Sequence, residues 1–262
     1  RFTNDFEFFR QEVADQFPKE IDGFNKLVEK ILSFDELNLN DSETLGSCPI
    51  LENFIKDPVL IDMLNCPLMY YGNAREGDMD FYQFVIMFKS IFVEGFAKPV
   101  GGMNYILQLL EEKFKQLGGE LRMGSGVTSI NAKKGSVESV TLQSGEQLAA
   151  ESVISSMGYI ETLNHCSPAL KETDDCETGQ VSFMESLCVV DREPRDLGYD
   201  KSIVFFSTQP RFDYKVPDEM INVSTGVLCC SNNFNYPEPM KEGLIRLTNL
   251  ANFGQWDALP RK

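Results

Sequence analysis

The residues with chemical potential are few, and their spacing narrows what they do. Gly124-Ser125-Gly126 opens the run GSGVTS, which begins like a dinucleotide fingerprint. In that fingerprint the glycines bring backbone N–H groups at a helix N-terminus up to a pyrophosphate. Here Val127-Thr128-Ser129-Ile130 continues as a β pattern, so no helix follows and the run is not a pyrophosphate loop. The chain has neither a GxxxxGK phosphate loop nor a GxSxG nucleophile elbow. Its single histidine, His165, stands beside Cys166, but no second pair lies at metal-ligand spacing and no hydrolase triad can be assembled. Carboxylates are so abundant that no acid–base couple stands out. The catalytic residue is therefore left unassigned, with Glu94 offered only for its closeness in sequence to a glycine pair. That pair, in Pro99-Val100-Gly101-Gly102, directly precedes an amphipathic run. Adjacent glycines at a helix entrance let backbone approach something flat or charged, although a plain turn uses them equally well.

Composition limits the classes open to the chain. The 262 residues carry a formal charge of −16, which argues against nucleic acid, since phosphate binding needs clustered Lys and Arg. The same charge argues against purely electrostatic docking on anionic lipid. Seven scattered cysteines fit buried thiols in a reducing compartment better than a disulfide framework. No apolar run reaches the ~18 residues of a membrane span. The chain begins charged and helical, without Met, and reads as the interior of something longer.

The positioning elements follow from periodicity. Phe6, Phe9, Val13 and Phe17 share a helical face; after Pro18, placed in the first turn of a second helix, Ile21, Phe24, Val28 and Ile31 share another. The stretch 38–49 reads as a loop in which Asp41 or Ser42 caps a turn, and Pro58 and Pro67 break the next segment into short helices. Phe81, Phe84, Val85, Phe88, Ile91 and Phe92 form a stripe that is either core or the wall of an apolar tunnel. Met103, Ile106, Leu107, Leu110, Phe114 and Leu117 form the next stripe, ended by Gly118-Gly119. A strand from GVTSI and two more through VISSMG follow, with turns at Gly135-Ser136 and Ser144-Gly145. Four further strands, in QVSFMESLCVVDREP, KSIVFFSTQ, INVSTGVLCCSN and GLIRLTNLANF, predict a mostly antiparallel sheet. The fold class is α+β, with expected parts at 1–95 (helical), 96–160 (helix, strand and hairpin) and 161–262 (sheet).

The segment PVGGMNYILQLLEEKFKQLGGELRMGSGVTSINAKKGSVESVTLQSGEQLAAESVISSMG resembles the phytoene desaturase and carotenoid isomerase group of flavoproteins. Retinol saturase and the wider amine-oxidase-like flavoenzymes share this pattern. Its parts are P-x-GG, an amphipathic helix, GG-x-(I/L), a V-x-x-I strand, a hairpin with V-x-L-x-(D/S)-G, and a V-(I/V)-S strand end. The resemblance implies a substrate domain flanking an inner piece of an FAD-binding domain. It places Gly101 and Gly102 near the flavin, Val127 at the adenine, and Ser155 and Ser156 where the chain returns to the cofactor. The GxGxxG strand–helix unit and the late flavin-contacting segment of that group do not occur here.

The expectation is thus the central part of an FAD-dependent oxidoreductase. It would act on a long apolar, polyene or isoprenoid-like substrate by hydride transfer, giving desaturation, saturation or isomerisation. FAD would be the cofactor, held only partly by this stretch, which alone is expected to be inactive. No metal and no nucleic acid are expected. The setting is cytoplasmic, with a peripheral membrane contact as the route to a lipophilic substrate. Two alternatives remain open. One is an amine-oxidase-like enzyme with an aromatic cage at Phe205, Phe206 and Tyr214; the other is a non-catalytic binding or scaffolding domain that lost the cofactor.

Overall fold

The computed structural model describes residues 1–35, 45–170, 179–236 and 238–260. Asp41 and Ser42 lie outside them. The chain forms two compact units, one of Arg1–Val100 with Gly179–Lys262 and the other of Gly101–Thr178. The architecture is α+β, as the periodicities require.

The first unit opens with α1 (Phe6–Gln16), α2 (Ile21–Leu32), α3 (Ser47–Leu51), α4 (Pro58–Gly72) and α5 (Phe81–Phe88), which runs on into a π-helical turn, Lys89–Val93. Aspartates start three of these helices by accepting from orphan backbone N–H groups: Asp5 from Glu7, Asp57 from Val59, and Asp80 from Tyr82 and Gln83. Pro18 belongs to the turn ahead of α2, not to its first turn. Pro67 does not break α4. It sits inside the helix and is buried among apolar neighbours, whose packing outweighs the one backbone bond that proline cannot make. The Phe81–Phe92 stripe is core: all six side chains are at most 2% exposed. Phe92 stacks on Phe9 of α1 at 4.7 Å and meets Phe88 edge-on at 5.1 Å.

The second unit holds α6 (Gly102–Gln116), β1 (Val127–Lys133), β2 (Ser136–Leu142), β3 (Gln147–Ala149), α7 (Tyr159–His165) and β4 (Cys166–Ser167). Its sheet has the order β3-β2-β1-β4, with β4 the one parallel neighbour. Lys134 and Gly135, at φ 54 and 81, make the tight turn between β1 and β2, a geometry with two left-handed residues that suits the strand twist. The helix and hairpin match the sequence reading, except that the turn falls one residue earlier than Gly135-Ser136 because Ser136 already pairs with Lys133 in the ladder; the short α7–β4 pair had no periodic signal. Two differences matter. First, α6 buries none of its residues, and its apolar stripe runs from 36% exposed at Ile106 to 75% at Leu117. Second, VISSMG forms no strand, and Ile154 is 99% exposed. A strand exists only with a ladder partner, and none pairs with this segment among the described residues.

The chain returns to the first unit as β5 (Ser182–Val190), β6 (Ile203–Ser207), β7 (Thr225–Cys230) and β8 (Gly243–Ala251), closing with α8 (Phe253–Asp257). These four strands are those read from the sequence, paired antiparallel throughout in the order β5-β8-β7-β6. Val227 and Leu250 join the helical core directly. Tyr214, after β6, is 2% exposed and donates to the carbonyls of Met69 (3.1 Å) and Asn73 (2.8 Å), tying sheet to helices.

Candidate functional site

In the second unit, Val127 begins β1 opposite Leu142, and the register slips immediately after it. Val140 and Leu148 lie on the same face, because directly paired residues of neighbouring strands share one side. Together these four floor an open concavity of about 350 Å³, rimmed by Glu120, Arg122 and Ser125. Arg122 is held there by Glu120 at 2.7 Å and Glu146 at 3.1 Å. The Arg122 hydrogen bond in turn keeps the Glu120 carboxyl below its ordinary range. The result is an apolar floor under a charge-paired edge.

Among the residues singled out from the sequence, Val127 lines this concavity; Gly101, Gly102, Ser155 and Ser156 do not. Gly101 caps α6, and a Cβ there would lie 2.7 Å from that of Tyr105. Gly102 has φ +66, a left-handed entry that glycine alone takes without cost. Ser155 and Ser156 are exposed, in the loop after β3, where Ser155 Oγ lies 2.7 Å from Thr162 Oγ1. Glu94 is exposed beyond the π-helical turn.

A second feature lies wholly within the first unit and follows from strand register. Phe183 pairs with Leu250, Glu185 with Thr248, Leu187 with Arg246 and Val189 with Leu244. On the far side Thr248 pairs with Val227 and Arg246 with Cys229. These residues therefore share the sheet face that meets the helical core. The core covers only one end of it. Leu250 is fully buried and Val227 nearly so, whereas Leu187 and Val189 are 63% and 55% exposed.

On this uncovered end Arg246 Nε pairs with Glu185 Oε1 at 2.7 Å, each side chain about half exposed. Tyr71, from the last turn of α4, borders it, with its ring 5.2 Å from Phe96 and 5.7 Å from Phe205. Burial pushes the Tyr71 phenol up; Cys229 adds to that and the Arg246 charge works against it, so the hydroxyl lies within electrostatic reach of both. The arrangement is an aromatic and aliphatic surface carrying one charge-neutral polar pair.

Sequence reasoning missed Tyr71, Glu185, Leu187 and Arg246. A signal existed: Glu185 and Arg246 are lone charges in apolar strands, in phase with inward-facing Phe183 and Leu250. Phe205 and Phe206 are consecutive on β6 and point to opposite faces, and Tyr214 is buried, so the three do not form an amine cage.

No family model matches the chain. A 4,4'-diapolycopene oxygenase from a Methylomonas species is 28% identical over 156 residues, which is 57% of this chain and 30% of that protein. A crystal structure of an oxidoreductase from Methanosarcina mazei aligns with a TM-score of 0.60 at 15% identity, covering 91% of this chain and 53% of the other. A crystal structure of a Pyrococcus furiosus protein aligns at 0.54 and 14%, covering 88% and 55%. The chain thus spans 30% of the curated relative's length and about half of each solved structure. The structural likenesses show a shared fold.

Proposed function

We propose that this chain is the middle portion of an FAD-dependent oxidoreductase whose substrate is a long apolar molecule of polyene or isoprenoid type. One observation carries the reading: the second unit leaves the apolar stripe of α6 and the VISSMG segment uncovered, and its sheet opens a concavity at Val127. A self-sufficient domain buries such a stripe, because each fully buried large apolar side chain contributes about 1.5–3 kcal/mol. An incomplete dinucleotide-binding domain leaves it bare. The similarity to a diapolycopene oxygenase and to an oxidoreductase of known structure agrees with this reading.

The residues present fit part of FAD. The concavity has an apolar floor and room for a purine ring, and Gly124 at φ +65 leaves open space where a side chain would stand. Val127 would hold the adenine edge through its backbone, with Val140, Leu142 and Leu148 against the ring. Gly101 and Gly102 would keep the entrance of α6 free of side chains near the flavin. When bound, FAD supplies the hydride acceptor or donor for desaturation, saturation or isomerisation. The uncovered sheet face of the first unit would orient the apolar chain and exclude water from it.

The test has two arms. AMP titrated into the isotope-labelled chain should shift the backbone amides of Gly124–Val127 and Gln143, while leaving the first unit unmoved. Protein expressed from the whole reading frame should carry a flavin absorbance band. A colourless whole protein that takes up no added FAD overturns the proposal.

A further inference from the structure

The Glu185–Arg246 pair stands out on the uncovered sheet face, because nothing in the packing of the first unit requires it. Thr248 separates Arg246 from the buried end of β8, and the neighbours along the face are Leu187, Val189, Cys229, Tyr71 and Phe205. An exposed ion pair adds little stability, typically 0–1 kcal/mol. The same positions filled by Val or Thr would suit a strand better. Among the described residues of this face the pair supplies the charge on a platform whose other polar groups are the hydroxyls of Thr248, Thr225 and Ser207. No other ion pair or hydrogen bond of the Arg246 guanidinium is found among the described residues, so the remaining N–H groups of its five-donor fork are available to a ligand.

We propose that this face binds a long apolar chain bearing an uncharged oxygen at its end, a hydroxyl or carbonyl, with Arg246 donating to that oxygen and Glu185 holding the guanidinium in place. This deepens the proposed function and rests on its apolar-substrate reading. Charge decides between classes of end group. Glu185 already neutralises Arg246, so a carboxylate ligand would have to displace it or sit beside it. An uncharged oxygen accepts from the free N–H groups without that conflict, and a hydroxyl can also donate to Glu185. The aromatic border of Tyr71, Phe96 and Phe205 offers flat contact to the adjoining apolar chain. Arg246 is thus a specificity residue and Glu185 a positioning residue.

Calorimetric titration of the chain with farnesol, farnesal, farnesoic acid and the hydrocarbon farnesene, in matched detergent, tests the idea. The alcohol and aldehyde should bind at least about tenfold more tightly than the hydrocarbon, the step expected for one hydrogen bond to a charged donor. Arg246→Met should reduce that preference to about twofold or less with hydrocarbon affinity unchanged, and Arg246→Lys, which keeps the charge but loses the fork, should restore it only in part. Glu185→Gln should move the preference toward the acid. Thermal melts of each variant establish that it is folded. Equal binding of oxygenated ligands and hydrocarbon, or a preference that survives Arg246→Met, overturns this proposal while leaving the apolar-substrate reading in place. Tightest binding by the acid in the unaltered chain overturns it in favour of an anion site. Binding of none of the four overturns both.

Discussion

The bare stripe of α6 gives the sharpest test of how this chain is built. Consider Leu107→Gln and Leu110→Gln together. The two leucines are 57% and 62% exposed, so each retains roughly two-fifths of its possible burial. At about 2 kcal/mol for a fully buried leucine, each substitution forfeits at most ~1 kcal/mol. Leu and Gln have similar helix propensities, so the backbone adds almost nothing. Leu64→Gln, at a site 1% exposed, is the control: it loses the whole burial term and strands an amide in the core, about 4 kcal/mol in all. Urea denaturation followed by circular dichroism should therefore show the double variant within ~2 kcal/mol of the parent and Leu64→Gln far below it. The double variant should also bind less of a hydrophobic dye and self-associate less. In protein from the whole reading frame, where the proposal has this stripe covered, the same double substitution should cost more than in the chain alone and lower the bound flavin. A double variant that destabilises the isolated chain as severely as Leu64→Gln would refute the reasoning, since the stripe would then already be buried.

Three further outcomes follow from the first unit. A Cβ added at Gly23 in α2 would lie 2.0 Å from the carbonyl oxygen of Phe54, a backbone atom. Gly23→Ala should destabilise by about 2 kcal/mol despite the ~1 kcal/mol helical advantage of alanine, and a more stable variant in urea denaturation would show that the two segments separate freely. Asp78 accepts from Ser47 Oγ (2.7 Å), Cys48 N (3.1 Å) and Met79 N (2.8 Å), so Asp78→Ala should cost about 3 kcal/mol by stranding donors, measurable in the same way. Burial pushes the Cys66 thiol and the Tyr70 phenol up to about 12 from 9.0 and 10.0, with Asp62 adding at Cys66 and the Thr225 hydrogen bond opposing at Tyr70. Both groups are neutral when protonated, and their unfolded forms ionise first. Their stabilisation is complete below about pH 9 and drains away toward pH 12, at ~1.4 kcal/mol per pKa unit. Urea midpoints should fall over that window, and Cys66→Ala with Tyr70→Phe should flatten the fall; a parent midpoint that stays level would contradict the assignment.

Local chemistry was enough to draw most elements from the sequence. The Phe stripe of α5, the glycine stop after α6, the turn at Gly135 and the four strands of the antiparallel sheet all carry periods or φ demands that neighbours cannot overrule. Pro67 and VISSMG show where local rules lose: packing held one helix together across a proline, and a strand-like run without a partner stayed unpaired. The site was less legible. Val127 was reached through a motif, and its place on an open concavity follows from which residues its strand faces. Tyr71, Glu185 and Arg246 come from α4, β5 and β8, with no motif joining them. The sequence alone settled the α+β class, most of the helical and strand segments and the absence of a nucleic-acid-type charge. Tertiary structure decided which apolar faces are covered and which charges meet, because burial and pairing depend on strand order and register between segments far apart in the chain.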